Sequence, residues 1–485
     1  MSNNILKQIQ GSQISEISKL LKSSQISSKE LTLSCLENIS ANVDSNTYIT
    51  VCAESALKDA EMADKLIKSG ENTHALTGIP MAIKDNICTS GTLTTCASRM
   101  LREHVPVYDA TAFNRLKACN AVLIGKTNMD EFGMGSTCEN SAFGSVKNPL
   151  DRTRSAGGSS GGSASAIAEG TAIFSLGSDT GGSIRLPAAF CGLVGLCPTY
   201  GSISRHGLIS YASSLDRVAP LAKSVDDCKL VFDAVKSDDN FDKTCIYQNR
   251  ASKRIENDLK GVKIAMISQL WNQKMNPEVK NALEKCAARF EELGADIDYI
   301  DIANIEHSVA AYYIISCAEV SSNLARYDGV RYGSRATKAS FESFEELATL
   351  TRQENFGKEV RRRILLGTFM LSADNREKYY KNAVKYRNYI QNELENVLGT
   401  YDLILSPVFA DTPPKLGEFE KDPVSFYEND LFCLPFSLAK IPSICLPSGF
   451  HADSMPVGFQ LSANAFCEEI LFDVAKIYER QVRSC

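Results

Sequence analysis

Two loops dense in glycine and serine constrain this chain more than any other feature. Gly157-Gly158-Ser159-Ser160-Gly161-Gly162-Ser163 is the first, and Gly177-Ser178-Asp179-Thr180-Gly181-Gly182-Ser183-Ile184-Arg185 is the second. Runs of this kind break helices and strands, so they are read as tight connections between short elements. A short apolar strand candidate, Ala172-Ile173-Phe174, lies between them. A phosphate cradle would need Gly-Lys-Ser/Thr to close the loop, or Gly-x-Gly-x-x-Gly to open a helix after a strand. Neither loop has these, so nucleotide binding there is not expected.

Strand and helix signals alternate around the loops. Thr111–Cys119 reads as a helix ahead of the strand candidate Ala121–Ile124. Further on, Val262–Ile267 reads as a strand. It is followed by a helix capped by Asn276, started by Pro277 and striped by Val279, Leu283, Ala287 and Phe290. Gly294 ends that helix, and Ala295–Ile300 is the next strand. Residues 301–400 are helical in pattern, and Leu403–Leu405 and Ser443–Leu446 are late strand candidates. Residues 237–260 are polar and read as a surface connection. Alternation of this kind predicts an α/β fold. Residues 1–76 are a mainly helical segment, with Ile14, Ile17, Leu20 and Leu21 at helical spacing and a capping box from Ser27 to Glu30. Residues 77–485 are expected to form one large α/β domain on which it packs.

Composition narrows the function. The net charge is −6, which gives no basic surface of the kind that grips nucleic acid through its phosphates. The 16 cysteines include no Cys-x-x-Cys pair, and the five histidines are scattered singly. Zinc-type spacing is absent, so no metal site is expected. Cysteines within apolar runs read as reduced core residues of a cytoplasmic protein. The N-terminal residues lack a leader pattern, and no run of about 18 apolar residues exists, so no membrane association is expected.

A third motif, Gly78-Ile79-Pro80-Met81-Ala82-Ile83-Lys84-Asp85, lies upstream, and Ser159 and Ser183 are 24 residues apart. Together the three motifs resemble those of the amidase signature family, in order and at its spacing. A serine hydroxyl is a weak nucleophile until a base takes its proton. No histidine lies near these motifs. A lysine can be that base if burial lowers its pKa from a reference of about 10.4. The resemblance assigns the roles: Ser183 attacks, Ser159 relays the proton, and Lys84 is the base that later protonates the leaving nitrogen. It also implies a cis peptide before Ser159, with Gly158–Ser159 as the candidate. It implies a mixed β-sheet covered by helices on both faces. Backbone N–H groups of Thr180, Gly181, Gly182 and Ser183 are the candidate oxyanion donors, since only a turn free of side chains lets them converge. Asp179 and Arg185 can pair to hold this loop, or lie at the surface.

The resemblance extends to one branch, the A subunits of glutamyl-tRNA(Gln) amidotransferases, through Gly125–Gly144, Ser322–Gly333 and Gly357–Phe369. It implies a glutaminase that passes ammonia to a partner. That partner is a tRNA-binding kinase chain, the B subunit, in a heterotrimer with a small C subunit. ATP and Mg would bind the partner, and this chain would need no cofactor of its own. Glutamyl-tRNA is the acceptor this implies, and whether aspartyl-tRNA is served as well is left open by the sequence. Glutamine needs a cation for its carboxylate and an anion for its ammonium. Arg363 and Asp430 match those ligands, and Tyr312, ahead of Tyr313, matches a substrate-contacting tyrosine. Cys197, Ala156 and Lys440 stand where the family commonly has lysine, proline and glycine. A stand-alone amidase for other carboxamides and a non-catalytic scaffold are the rival readings.

Overall fold

The computed structural model describes residues 9, 11–70, 73–246, 248, 254–338, 340–421 and 427–483. Residues 1–8, read above for a leader, and part of the 237–260 connection lie outside these. The described chain builds one 11-stranded sheet. Its strands are β1 (Tyr48–Val51), β2 (Pro80–Lys84), β3 (Val122–Thr127), β4 (Phe174–Asp179), β5 (Val194–Cys197), β6 (Arg217–Ala222), β7 (Lys263–Ile267), β8 (Asp296–Ile300), β9 (Leu403–Pro407), β10 (Ser443–Phe450) and β11 (Pro456–Ser462). The order is β1-β3-β2-β4-β6-β5-β10-β11-β9-β7-β8. Two parallel blocks, β3-β2-β4 and β9-β7-β8, are joined through antiparallel strands. The mixed sheet expected from the sequence is the one observed.

Helices cover both faces, and strand alternation shows it. Ile264 and Met266 of β7 join one apolar cluster with Leu283, Phe290 and Leu471. Ala265 and Ile267 join another with Ile315, Phe356 and Ile390. Successive side chains of a strand point to opposite faces, so both faces are buried. That is why β2, β3, β4, β6 and β9 are buried at every position, and why β2, β3, β6 and β9 read as mainly apolar runs rather than strict alternation.

Local chemistry fixes the boundaries. Asn276 accepts the Glu278 N–H at 3.0 Å with Pro277 in the first turn. The β7–helix–β8 unit forms as expected, with Lys263 opposite Asp296 in parallel register. Ser27 and Glu30 make the reciprocal capping box. Two expectations shift. The strand expected at Ala172–Phe174 begins only at Phe174 and runs through Ser175, Gly177 and Ser178. Small polar residues hid it from a hydrophobicity pattern, yet they are needed there: a Cβ on Gly177 would lie 2.7 Å from Ile184 and 2.8 Å from Ser160 Oγ. The N-terminal segment also contributes an edge strand, β1, antiparallel to β3.

Two helices reach toward the C-terminal ends of the first parallel block. His307–Asn323 carries Tyr312 and Tyr313, and Lys358–Leu371 carries Arg363. They approach closely at Gly367, where a Cβ would lie 1.8 Å from the Cys317 carbonyl oxygen. Backbone cannot yield as a flexible side chain can. Gly367→Ala is therefore expected to force the helices apart and cost about 1–3 kcal/mol, measured by chemical denaturation. A stability equal to the parent's would show that the two helices are not tightly packed there.

Candidate active site

Lys84 is the last residue of β2, and Asp179 is the last of β4. The site therefore opens at the carboxyl ends of parallel strands, where ligand crevices form in α/β sheets. Ser159 lies just ahead of helix Gly161–Ala168, and Ser183 just ahead of helix Arg185–Cys191. Lys84 Nζ donates to Ser159 Oγ at 2.8 Å, to Ser178 Oγ at 2.9 Å and to the Ser178 carbonyl at 3.4 Å. Lys84 has no solvent exposure, whereas Ser183 keeps 8%. Burial pulls the Lys84 pKa down to about 8, opposed in part by Cys138, Asp130, Asp179 and Asp216. The Ser160 N–H donates to the Ser183 carbonyl at 3.2 Å and ties the two loops together. The Gly158–Ser159 peptide is cis. Among the described contacts the Ser159 and Ser183 hydroxyls do not bond directly; such contacts often tighten only when substrate binds.

The turn that carries Ser183 hangs on a buried ion pair. Arg185 Nε and Nη2 donate to Asp179 Oδ2 and Oδ1 at 3.2 and 3.1 Å, with both side chains fully buried. The sequence left a surface role open for this pair, and the structure closes that option. Arg185 also donates to the Cys433 carbonyl, Gln460 Oε1 and Ser437 Oγ, so its donors are spent. It holds the Asp179 carboxyl below the usual carboxylate range against the cost of burial. Asp179 then accepts the Gly182 and Ile184 N–H groups at 2.7 and 3.1 Å. The Gly182 N–H, one of the expected oxyanion donors, is already engaged by Asp179 in this structure. The N–H groups of Thr180, Gly181 and Ser183 stay candidates. Thr180 is pinned by its hydroxyl to Asp216 at 2.8 Å.

Ser183, Gly181, Tyr312, Tyr313, Arg363 and Asp430 line one pocket, with Ser136, Leu186 and Cys433 completing the walls. The empty space among them, open solvent included, is about 450 Å³. Arg363 is buried; its Nε donates to Glu359 at 2.6 Å and its Nη1 to the Tyr211 hydroxyl at 2.6 Å. The Tyr313 hydroxyl donates to Asp430 Oδ2 at 2.5 Å, and Ser136 to Oδ1 at 3.3 Å. Burial raises the Asp430 pKa to about 6 despite Tyr313, Arg363 and Ser136, so above that pH it is an anion facing the same pocket as a cation. Tyr312 lies over the nucleophile turn, since a Cβ on Gly181 would meet its hydroxyl at 2.6 Å. Both tyrosines thus reach the pocket.

Several of these residues escaped sequence reading. Glu359 carried a signal, because it lies four residues before Arg363 on one helix face. Asp130 lies in the Gly125–Gly144 block. It accepts the Cys138 and Asn140 N–H groups, and burial raises its pKa to about 6. Tyr211, Asn86 and Ser178 carried no local signal of a role. Of the unusual positions, Cys197 and Ala156 are buried. Lys440 holds a left-handed backbone at φ 63°, which explains why glycine is common there. Its amine lies over the Tyr200 ring at 4.3 Å.

The family model described as Amidase matches residues 30–472. The chain is 45% identical over 472 residues to the second glutamyl-tRNA(Gln) amidotransferase A subunit of Clostridium acetobutylicum, covering 96% of this chain and 98% of that one. It is 45% identical to the corresponding A subunit of Legionella pneumophila, covering 96% of each. Among solved structures it is similar to the glutamyl-tRNA(Gln) amidotransferase A subunit of Thermotoga maritima. The TM-score is 0.76 and the identity 38%, over 93% of this chain and 91% of that one. It is also similar to a peptide amidase of Stenotrophomonas maltophilia, with a TM-score of 0.80 and 26% identity, over 98% of each.

Arg185→Ala removes one partner of a fully buried pair and leaves Asp179 uncompensated. The expected loss is about 3–5 kcal/mol of stability, read from denaturant midpoints. A loss under about 1 kcal/mol would mean that the pair behaves as a solvated one.

Proposed function

The chain belongs to the Amidase family, and from that premise we propose that it is the glutamine-hydrolysing subunit of a tRNA-dependent amidotransferase. The observation that carries this reading is a single pocket in which Ser183 faces a buried arginine and a carboxylate, Arg363 and Asp430. An amino acid needs both charges, and an apolar amide needs neither.

The proposed reaction uses the chain's own groups. Neutral Lys84 takes the Ser159 proton, Ser159 takes that of Ser183, and Ser183 Oγ bonds to the carboxamide carbon. The oxyanion accepts from N–H groups of the Thr180–Ser183 turn, Gly182 excepted. As the C–N bond breaks, the proton held by Lys84 returns through Ser159 to the leaving nitrogen, and ammonia departs. Water, deprotonated by the same relay, then cleaves the glutamyl ester on Ser183 and releases glutamate. Arg363 Nη2 is the donor proposed for the substrate carboxylate, because Glu359 and Tyr211 take Nε and Nη1. Asp430 is proposed to accept the ammonium, with Tyr312 against the substrate. Ammonia would serve a partner that binds glutamyl-tRNA, and aspartyl-tRNA in some settings, and that uses ATP and Mg. The acidic balance of this chain fits tRNA held mainly by the B subunit, with the small C subunit completing a heterotrimer.

Ammonia release from glutamine by the purified chain, alone and with partner subunits, ATP and glutamyl-tRNA, tests the assignment. Acceleration by the full mixture is expected. No response, with brisk hydrolysis of simple amides, would make it a stand-alone amidase. Ser183→Ala should abolish release while keeping the fold; full activity would end the serine mechanism.

Two further outcomes follow from the geometry. Arg363→Ala should lose a charge-assisted contact of about 1.5–3 kcal/mol, seen as a rise in glutamine KM with simple-amide hydrolysis retained. An unchanged KM would remove Arg363 from the site. The Lys84 pKa of about 8 sets the sign of the pH dependence. The base must be neutral, so kcat/KM should rise with pH and level off above about 8. A profile flat from pH 6 to 9 would argue against a lysine base.

A further inference from the structure

Lys84 offers its amine to three oxygens, and two of them belong to one residue that the reaction above leaves unused. Ser178 presents its hydroxyl at 2.9 Å and its carbonyl at 3.4 Å, while Ser159 Oγ lies at 2.8 Å. The Ser178 hydroxyl is itself held by the Asn86 carboxamide, 3.0 Å from Nδ2. Asn86 and Ser178 are 4% and 5% exposed, so water does not compete freely for these groups. The register explains the meeting. Asn86 lies two residues beyond Lys84, and Ser178 lies on β4, the parallel neighbour of β2.

A neutral amine has two N–H bonds and one lone pair. To take the Ser159 proton, the lone pair must face Ser159 and both N–H bonds must find other acceptors. The Ser178 carbonyl can only accept. Its hydroxyl can do either. If it donates to Lys84, it turns the lone pair away from Ser159. The hydroxyl therefore needs an acceptor for its own proton. The Asn86 Oδ1 atom is buried and has no partner. The two ends of a carboxamide are interchangeable by a half-turn. With Oδ1 turned to Ser178, the hydroxyl gives its proton to Asn86 and is left to accept from Lys84.

We propose that Asn86 and Ser178 are positioning residues that keep the Lys84 lone pair aimed at Ser159. This rests on the reading of Lys84 as the base. The other groups around the amine are Asp130 and Cys138 from the loop after β3, Asp179 at the end of β4, and Asp216 ahead of β6. The neighbouring Asp85 is engaged with Lys126 at 3.6 Å. None of these changes in the variants below, so a shift in the pH profile reports on Ser178 and Asn86.

The test measures glutamine hydrolysis by the full chain across pH for Ser178→Ala, Ser178→Thr, Asn86→Ala and Ser183→Ala. Ser178→Ala should lower kcat by about 10–100-fold, the scale of a misaimed catalytic group, with KM held within about twofold. Losing an acceptor of the ammonium also lowers the Lys84 pKa, so the acidic limb of kcat/KM should move to lower pH. Ser178→Thr should restore both. Asn86→Ala should lower kcat with KM unchanged, and it decides the matter if Ser178→Ala does not fold. A kcat within threefold of the parent and an unmoved limb in Ser178→Ala, or in Asn86→Ala where that variant decides, would overturn the proposal. If such variants are parental while Ser183→Ala is inactive, this inference alone falls. If Ser183→Ala keeps its activity, the serine–lysine reading falls and takes the inference with it.

Discussion

A buried amine without a carboxylate against it is the constraint around which this site is arranged. Among the described residues two lysines, on adjacent parallel strands, are fully buried, and their surroundings differ. Lys126 has Asp85 at 3.6 Å, together with the Ile87 carbonyl and the Thr94 hydroxyl. Among the described residues, the hydrogen-bond partners of Lys84 are hydroxyls and a carbonyl. Burial disfavours the ammonium in both, but a contacting carboxylate would hold Lys84 charged and end its proposed use as a base. Asp130, Asp179 and Asp216 are near enough to pull against burial, and each has its own N–H, hydroxyl or guanidinium partners. The negative charge is thus spent on shaping loops rather than on the lysine.

The glycines serve close packing of that arrangement. A Cβ on Gly158 would lie 2.1 Å from Asp130 Oδ2, and one on Gly162 would lie 2.4 Å from the Asn128 carbonyl oxygen. On Gly181 it would strike Tyr312. Each glycine lets a polar group of one loop touch the backbone of another, which fixes Ser159 over Lys84 and Ser183 beside it. The pocket wall is placed differently. Arg363 and the two tyrosines come from packed helices, and Asp430 from a short turn of 3₁₀ helix. The serine–lysine cluster lies on strand ends and loops, while the charged wall facing it lies on the helical layer.

Much of this was legible in the residues. Lys84, Ser159 and Ser183 are each embedded in a local motif, and the resemblance of the three motifs together to those of the amidase signature family singles them out. The β7–helix–β8 unit was legible because capping, stripe and strand signals agree along the segment. Strand β4 was misplaced because its serines and glycines look like loop. Arg363 stood out by context; its partner Glu359, one helix turn away, carried a signal in that spacing, whereas Tyr211 comes from a distant loop and carried none.

The sequence by itself determined the family, the class of fold and the three residues proposed for the relay, because those depend on residue identity and short-range spacing. Tertiary structure alone decided that Asp179 and Arg185 are buried together, that the Gly182 N–H is spent on Asp179, and that Asn86 and Ser178 converge on Lys84. These depend on strand register and on which donors are already occupied. Local propensity does not encode either, because both are set by partners far away in the chain.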